Sequence, residues 1–325
     1  MSVGEDSSGK AGRRGRSWRD IDLRAVAPFA ALVLLLIVGA LVNPNFIGIT
    51  NLTNVATRCA FIAIIAVGAT FVISAGDLDL SVGAMVAFVA SLMILFMNSG
   101  VIADPTMMLA AAVLFSIIAG ILCGLANGLI TTMGKIEPFI ATLGTMGVYR
   151  GLTTWLSQGG AITLRPADIQ ALYKPAYYGS VLGVPVPIVV ILVVTCIAAF
   201  ILYRTRYGRH VIAVGSNRDV ARYSGVAVNG VRTIALLLYV PRLGSTSATT
   251  GNLWELQAIT AVVVGGTALK GGAGRVWGTI CGAFILELVG NIMLLSNFIS
   301  EYLLSAIQGA IIIIAMLVQR SLARK

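Results

Sequence analysis

Asp77 and Asp79 stand two positions apart in "ISAGDLDLSVG" (73–83), with long apolar runs on both sides and Ser81 close behind. Carboxylates in such a setting are costly and usually mark a pathway or a break in the helix. Gly76 suits a left-handed helix end. Asp79 or Ser81 suits the cap of a following helix, where a carboxylate or hydroxyl meets free N–H groups at the positive dipole end. The stretch therefore reads as a helix break. It is either a tight capped turn at the membrane face or irregular backbone lining a polar cavity. Proton-sharing aspartyl proteolysis needs a second aspartate at close range within the membrane. Asp104 and Asp168 fall in connections instead, so that chemistry is set aside.

Other polar residues fall inside apolar runs: Asn127, Thr142, Thr145, Arg150, Glu287 and Asn291. Glu287 and Asn291 are four apart and share a helix face. Hydrogen bonding between helices is the plainer role for any one of them. Together with Asp77, Asp79 and Ser81, the residues Asn127, Thr142, Glu287 and Asn291 are the candidate lining of a substrate pathway.

Residues 265–275, "GGTALKGGAGR", invite a phosphate-loop reading. The required G-x-x-x-x-G-K-S/T is absent, because Gly271 follows Lys270. No nucleotide site is expected in this chain, and the glycines predict a tight turn where two helix ends pack closely. Residues 204–230 are too polar to span. Asn217 can cap a short helix through about Tyr223, with Gly225 ending it. Such a basic surface helix either meets lipid headgroups or serves as a handle for a cytoplasmic protein.

These stretches must be positioned by membrane helices. The chain has 325 residues, 58% hydrophobic and 11% charged, with a mean hydropathy of +0.92. Soluble domains carry about 25% charged residues. The expected fold is all-α, a polytopic membrane bundle of about ten crossings. The runs lie near 26–42, 58–75, 80–98, 107–131, 138–157, 186–203, 228–240, 257–269, 276–295 and 302–318. The first is read as an uncleaved span behind a cytoplasmic tail, since no A-x-A site follows it. With both termini cytoplasmic, the inner segments hold 18 of the 23 basic residues, the bias that sets orientation. The outer connections then hold Arg58, Arg165, Lys174 and Arg242. The net charge of +10 follows orientation and does not signal nucleic acid. The expected division is a tail at 1–24, a permease domain at 25–320 and a tail at 321–325. Residues 228–240 and 257–269 would each rise only about 20 Å as helix, short of a hydrocarbon core of about 30 Å. The outer connection 158–185 carries Tyr173, Tyr177 and Tyr178, suited to the headgroup level. Cys59, Cys123, Cys196 and Cys281 form no CxxC pair and read as small packing residues. His210 is the single histidine, and no metal site is expected.

Four segments carry a family resemblance. "VISAGDLDLSVGAMVA" resembles the G-x-I/L-D-L-S-V-G signature of the inner-membrane permeases of ATP-binding-cassette monosaccharide importers, the ribose and xylose type. Residues 124–152, 208–228 and 255–279 resemble that family's further blocks, in register over roughly 45–320. The resemblance implies a ten-span permease working as a pair, as homo- or heterodimer. Its partners would be a cytoplasmic ATP-binding-cassette ATPase, which holds the ATP and magnesium, and a periplasmic sugar-binding protein. It also implies that 204–230 couples to the ATPase, with Gly215, Asn217, Ala221, Ser224 and Gly225 on the motif. Two departures stand out. Glu137 replaces a usual proline, and about a dozen residues are missing between Val231 and Leu253.

The function expected is import of a monosaccharide by alternating access, energised by the separate ATPase, across a bacterial inner membrane. The chain itself is not expected to be an enzyme. The rivals are an ion-coupled secondary transporter, with essential carboxylates at midplane, and a branched-chain amino-acid permease, against which the D-L-S-V-G form speaks.

Overall fold

The computed structural model describes residues 23–236, 245–247 and 249–296, with isolated positions between 303 and 313. Most of the tenth apolar run, most of the N-terminal tail, the C-terminal tail and the end of the seventh run lie outside the described residues.

Among the described residues the chain is helical and almost free of sheet. The first helix, α1 (Leu23–Val42), leads through a short turn at Pro44–Ile47 into α2 (Ile49–Ser74). Then follow α3 (Val82–Asn98), α4 (Pro105–Thr132) and α5 (Pro138–Ser157). The connection at 158–185 folds into strand β1 (Ala161–Thr163), helix α6 (Ala167–Tyr178) and the small hairpin β2 (Ser180–Val181) and β3 (Val184–Pro185). Next come α7 (Val186–Arg204), α8 (Arg206–Ser216), α9 (Arg218–Tyr223) and α10 (Val228–Leu236). The described chain closes with strand β4 (Ser245–Ser247), α11 (Trp254–Val264) and α12 (Val276–Ser296).

Among the described residues, α2, α4, α7 and α12 are long and apolar enough to cross a membrane. The outward surfaces of α1, α4 and α7 are oily. Leu34 and Leu41 on α1, Leu114 and Leu122 on α4, and Leu192 and Phe200 on α7 are all exposed, which fits lipid as the surrounding solvent. The central element is α2, buried along most of its length and packed against α7, α11 and α12.

Two boundaries differ from expectation. Helix α2 begins at Ile49, so Arg58 lies inside it and not in the outer connection. Helix α11 ends at Val264, before the Gly265–Gly266 pair, where Gly266 is left-handed with φ +85°. Its 11 residues rise about 16 Å, half of what a crossing needs. The chain reaches it through Gly251, which packs directly on the backbone of Gly83 at the start of α3. Finally, β4 pairs antiparallel with β1, joining the two connections expected on the outer side. Ser91 Oγ on α3 hydrogen-bonds Thr246 Oγ1 at 2.8 Å, and Asn98 donates to Thr163 O at 2.9 Å.

Candidate functional site

The helix break is built locally. After Ser74 the chain turns through Ala75 into Gly76, whose φ is +79°. The Gly76 N–H donates to Ile73 O, and the Asp77 N–H to Val72 O. This is a helix end closed by a left-handed glycine, as the sequence suggested. The start of α3 differs from expectation. Ser81 holds the capping position but makes no side-chain cap bond. Asp79 Oδ1 instead turns back to accept the Ser81 N–H and the Ser81 hydroxyl, both at 2.7 Å.

The irregular residues are held by α4 and α5. Asn127 Nδ2 donates to Ser81 Oγ at 2.7 Å. Thr142 Oγ1 accepts the Leu80 N–H at 3.1 Å and donates to Pro138 O. Tyr149 donates to Cys123 O at 3.0 Å and stands 3.4 Å from Asn127 Oδ1. Asp79, Ser81, Asn127 and Thr142 are therefore one buried cluster. Backbone without helix is tolerated at membrane depth only when protein satisfies it in this way.

Asp77 belongs to a different grouping. Its carboxylate, 1% exposed, receives two arginines. Arg232 of α10 donates Nε to Oδ2 at 2.6 Å and Nη2 to Oδ1 at 3.0 Å. Arg218, the first residue of α9, donates Nη2 to Oδ1 at 2.6 Å and to Gly76 O at 2.9 Å. A buried carboxylate without a cation would be several kcal/mol unstable. Sequence reasoning missed both arginines as site residues. The available signal was Arg232 itself, a charge inside the apolar seventh run with no carboxylate nearby in sequence.

The loop 204–230 forms two short helices packed on this break. Thr205 caps α8 by accepting the Gly208 N–H. Asn217 Oδ1 caps α9, accepting the Asp219 and Val220 N–H groups at 3.0 Å each. Gly225 is left-handed behind it, and Ser224 donates to Val220 O. Gly215 packs so closely that an added Cβ would strike Ser74 O and the Gly272 N–H. The Gly272 N–H in turn donates to Ser74 O at 3.0 Å. The break, the loop and the 265–275 turn thus meet backbone to backbone at one junction. Tyr207 ties in from α8. It stacks on Phe71, its hydroxyl donates to Val231 O, and burial raises its phenol above the ordinary range.

Within α9 the faces are divided. Ala221 is buried, whereas Val220 is 59% and Tyr223 89% exposed. Ala221 therefore seats α9 on the bundle, and Val220 and Tyr223 face away from it.

Glu287 and Asn291 sit elsewhere. Glu287 Oε1 pairs with Arg58 Nε at 2.6 Å, and Asn291 exchanges amide hydrogen bonds with Asn51. Arg58 precedes Ser74 by 16 residues on one helix, about 24 Å. The structure therefore does not bring this pair together with the Asp79 cluster; it ties α12 to α2. Arg150 on α5 donates to Thr250 O. The Tyr177 and Tyr178 side chains lie outside the description. Among the described residues the cysteines are unbridged.

A family profile described as the permease component of a branched-chain amino acid transport system matches residues 51–316. The chain belongs to this permease family. It is therefore a multi-pass membrane protein. It is 36% identical over 308 residues to the ribose import permease protein of Haemophilus influenzae, covering 91% of this chain and 93% of that one. It is 37% identical over 309 residues to the ribose import permease protein of Bacillus subtilis, covering 92% and 93%. It is also 31% identical over 280 residues to an autoinducer 2 import system permease protein of Yersinia pestis, covering 83% of this chain and 77% of that one. No solved structure matches.

Proposed function

We propose that this chain is the membrane-spanning subunit of an ATP-driven importer and passes a monosaccharide, ribose foremost, across a bacterial inner membrane by alternating access. Ten crossings, both termini in the cytoplasm and a paired second copy complete the reading. The ATP and magnesium belong to a separate ATPase, and a periplasmic binding protein delivers the sugar. The ribose permeases among its relatives support sugar over a branched-chain amino acid.

One observation carries the mechanism: Arg218 at the head of α9 reaches Asp77 and Gly76 O in the helix break. A partner that grips α9 through Tyr223 and Val220 holds a lever on the α2–α3 junction. Asp77 carries two arginines, so Arg218, 37% exposed, can leave while Arg232, 10% exposed, keeps the carboxylate neutralised. Release of this contact lets Gly76–Ser81 move against α4 and α5, opening the pathway on the cytoplasmic side. Asn217, Ser224 and Gly225 fix the shape of the lever.

The test is reconstitution in vesicles with the candidate ATPase and binding protein. Ribose uptake that needs both ATP and the ATPase supports the reading. Uptake by the chain alone, driven by an ion gradient, overturns it in favour of a secondary transporter.

A further inference from the structure

Two carboxylate oxygens are left over from the contacts described so far. Asp79 uses Oδ1 for Ser81, while its Oδ2 has no hydrogen-bond partner among the described residues. Glu255, in the first turn of α11, likewise leaves Oε2 without one. The two residues are 5% and 7% exposed. Both flank the same helix start. Glu255 Oε2 lies against Gly83, where an added Cβ would strike it, and Asp79 holds the Ser81 N–H.

Buried carboxylate oxygens without donors cost free energy, and structures rarely retain them without a use. A donor placed here would relieve both oxygens. The first N–H groups of α3 complement these acceptors, because no side chain caps that end. Donors and acceptors side by side suit a hydroxyl, which is both at once. Two carboxylates disfavour an anion, with Arg150 on α5 the cation acting on Glu255. On the Asp79 side of this helix start, Ser81, Asn127, Thr142 and Tyr149 form a linked run of hydroxyl and amide groups.

We propose that Asp79 and Glu255 form a station for sugar hydroxyls at the start of α3, and that Glu255 sets which polyol passes. This rests on the reading of the chain as a sugar permease and adds a selectivity residue to it. The ligand class is an uncharged, hydroxyl-rich small molecule, held by its O–H groups donating to Asp79 Oδ2 and Glu255 Oε2.

The experiment uses the full complex in vesicles with one binding protein throughout. It compares initial uptake of D-ribose and 2-deoxy-D-ribose. Glu255→Gln is expected to slow ribose about tenfold and to lower the ribose preference several-fold. A purely structural change would slow both sugars alike. Thermal melting and copurification with the ATPase check folding. If Glu255→Gln does not assemble, Glu255→Asp and Asp79→Asn carry the same comparison. An unchanged sugar preference in assembled variants overturns the proposal while leaving the permease reading intact. A wild-type complex that moves leucine and neither sugar overturns the permease reading, and the station with it.

Discussion

Asp77 and Arg232, 155 positions apart in the chain, meet through two parallel contacts, Nε to Oδ2 at 2.6 Å and Nη2 to Oδ1 at 3.0 Å. The paired geometry is the strong form of a charge-assisted bond, and it fixes α10 to the end of α2. Removing Asp77 strands Arg232 in a buried place, whereas removing Arg232 leaves the carboxylate to Arg218 alone. Arg232→Gln is expected to destabilise the chain by about 3 kcal/mol, the low end for a broken buried pair. Arg218→Gln, at the more exposed position, is expected to cost about 1 kcal/mol or less. Melting of the detergent-purified variants checks the order. Equal melting temperatures would remove the distinction between anchor and releasable contact.

Gly215 faces Ser74 O and the Gly272 N–H with no room for a methyl group. Gly215→Ala is expected to spread the junction and to abolish uptake even where the protein still reaches the membrane. Gly230→Ala is the control, since its Cβ would meet only Ala227 Cβ at 3.9 Å. A transport-competent Gly215→Ala would show that the close backbone approach is incidental.

Tyr223 is 89% exposed, so its truncation should leave stability unchanged, within about 0.5 kcal/mol. Tyr223→Ala is instead expected to weaken binding of the ATPase by tenfold or more, as loss of an aromatic anchor does. Titration of the purified partner against the two forms measures this. Wild-type affinity would shift the docking surface away from α9.

Much of this site is legible in sequence because it is local. Gly76 as a left-handed helix end and the Asn217-to-Gly225 helix follow from backbone rules that reach only a few residues. The partner of Asp77 is not local. Nothing within a few residues of Asp77 neutralises it, and Arg218 and Arg232 are brought to it by packing. The same limit explains Asp79. A cap was expected from residue type, but Asn127 on α4 takes the Ser81 hydroxyl, and Asp79 folds back on Ser81. Arg58 misled for another reason. A charge near the end of an apolar run reads as a boundary, yet Glu287 compensates it and the helix extends back to Ile49.

Glu287 and Asn291 give a prediction of the opposite sense. As ties between α12 and α2, Glu287→Gln and Asn291→Ala are expected to leave sugar preference unchanged. The Arg58–Glu287 pair is partly exposed, and its loss should cost about 1 kcal/mol or less. Comparison of ribose and deoxyribose uptake decides this. A changed preference would return both residues to the pathway.

The most direct measurement is the number of sugars imported per ATP hydrolysed by complexes bearing Arg218→Gln. If α9 drives the α2–α3 break through Asp77, hydrolysis should continue near the wild-type rate while ribose import falls at least tenfold. Hydrolysis and import that both persist unchanged would contradict a drive through this contact.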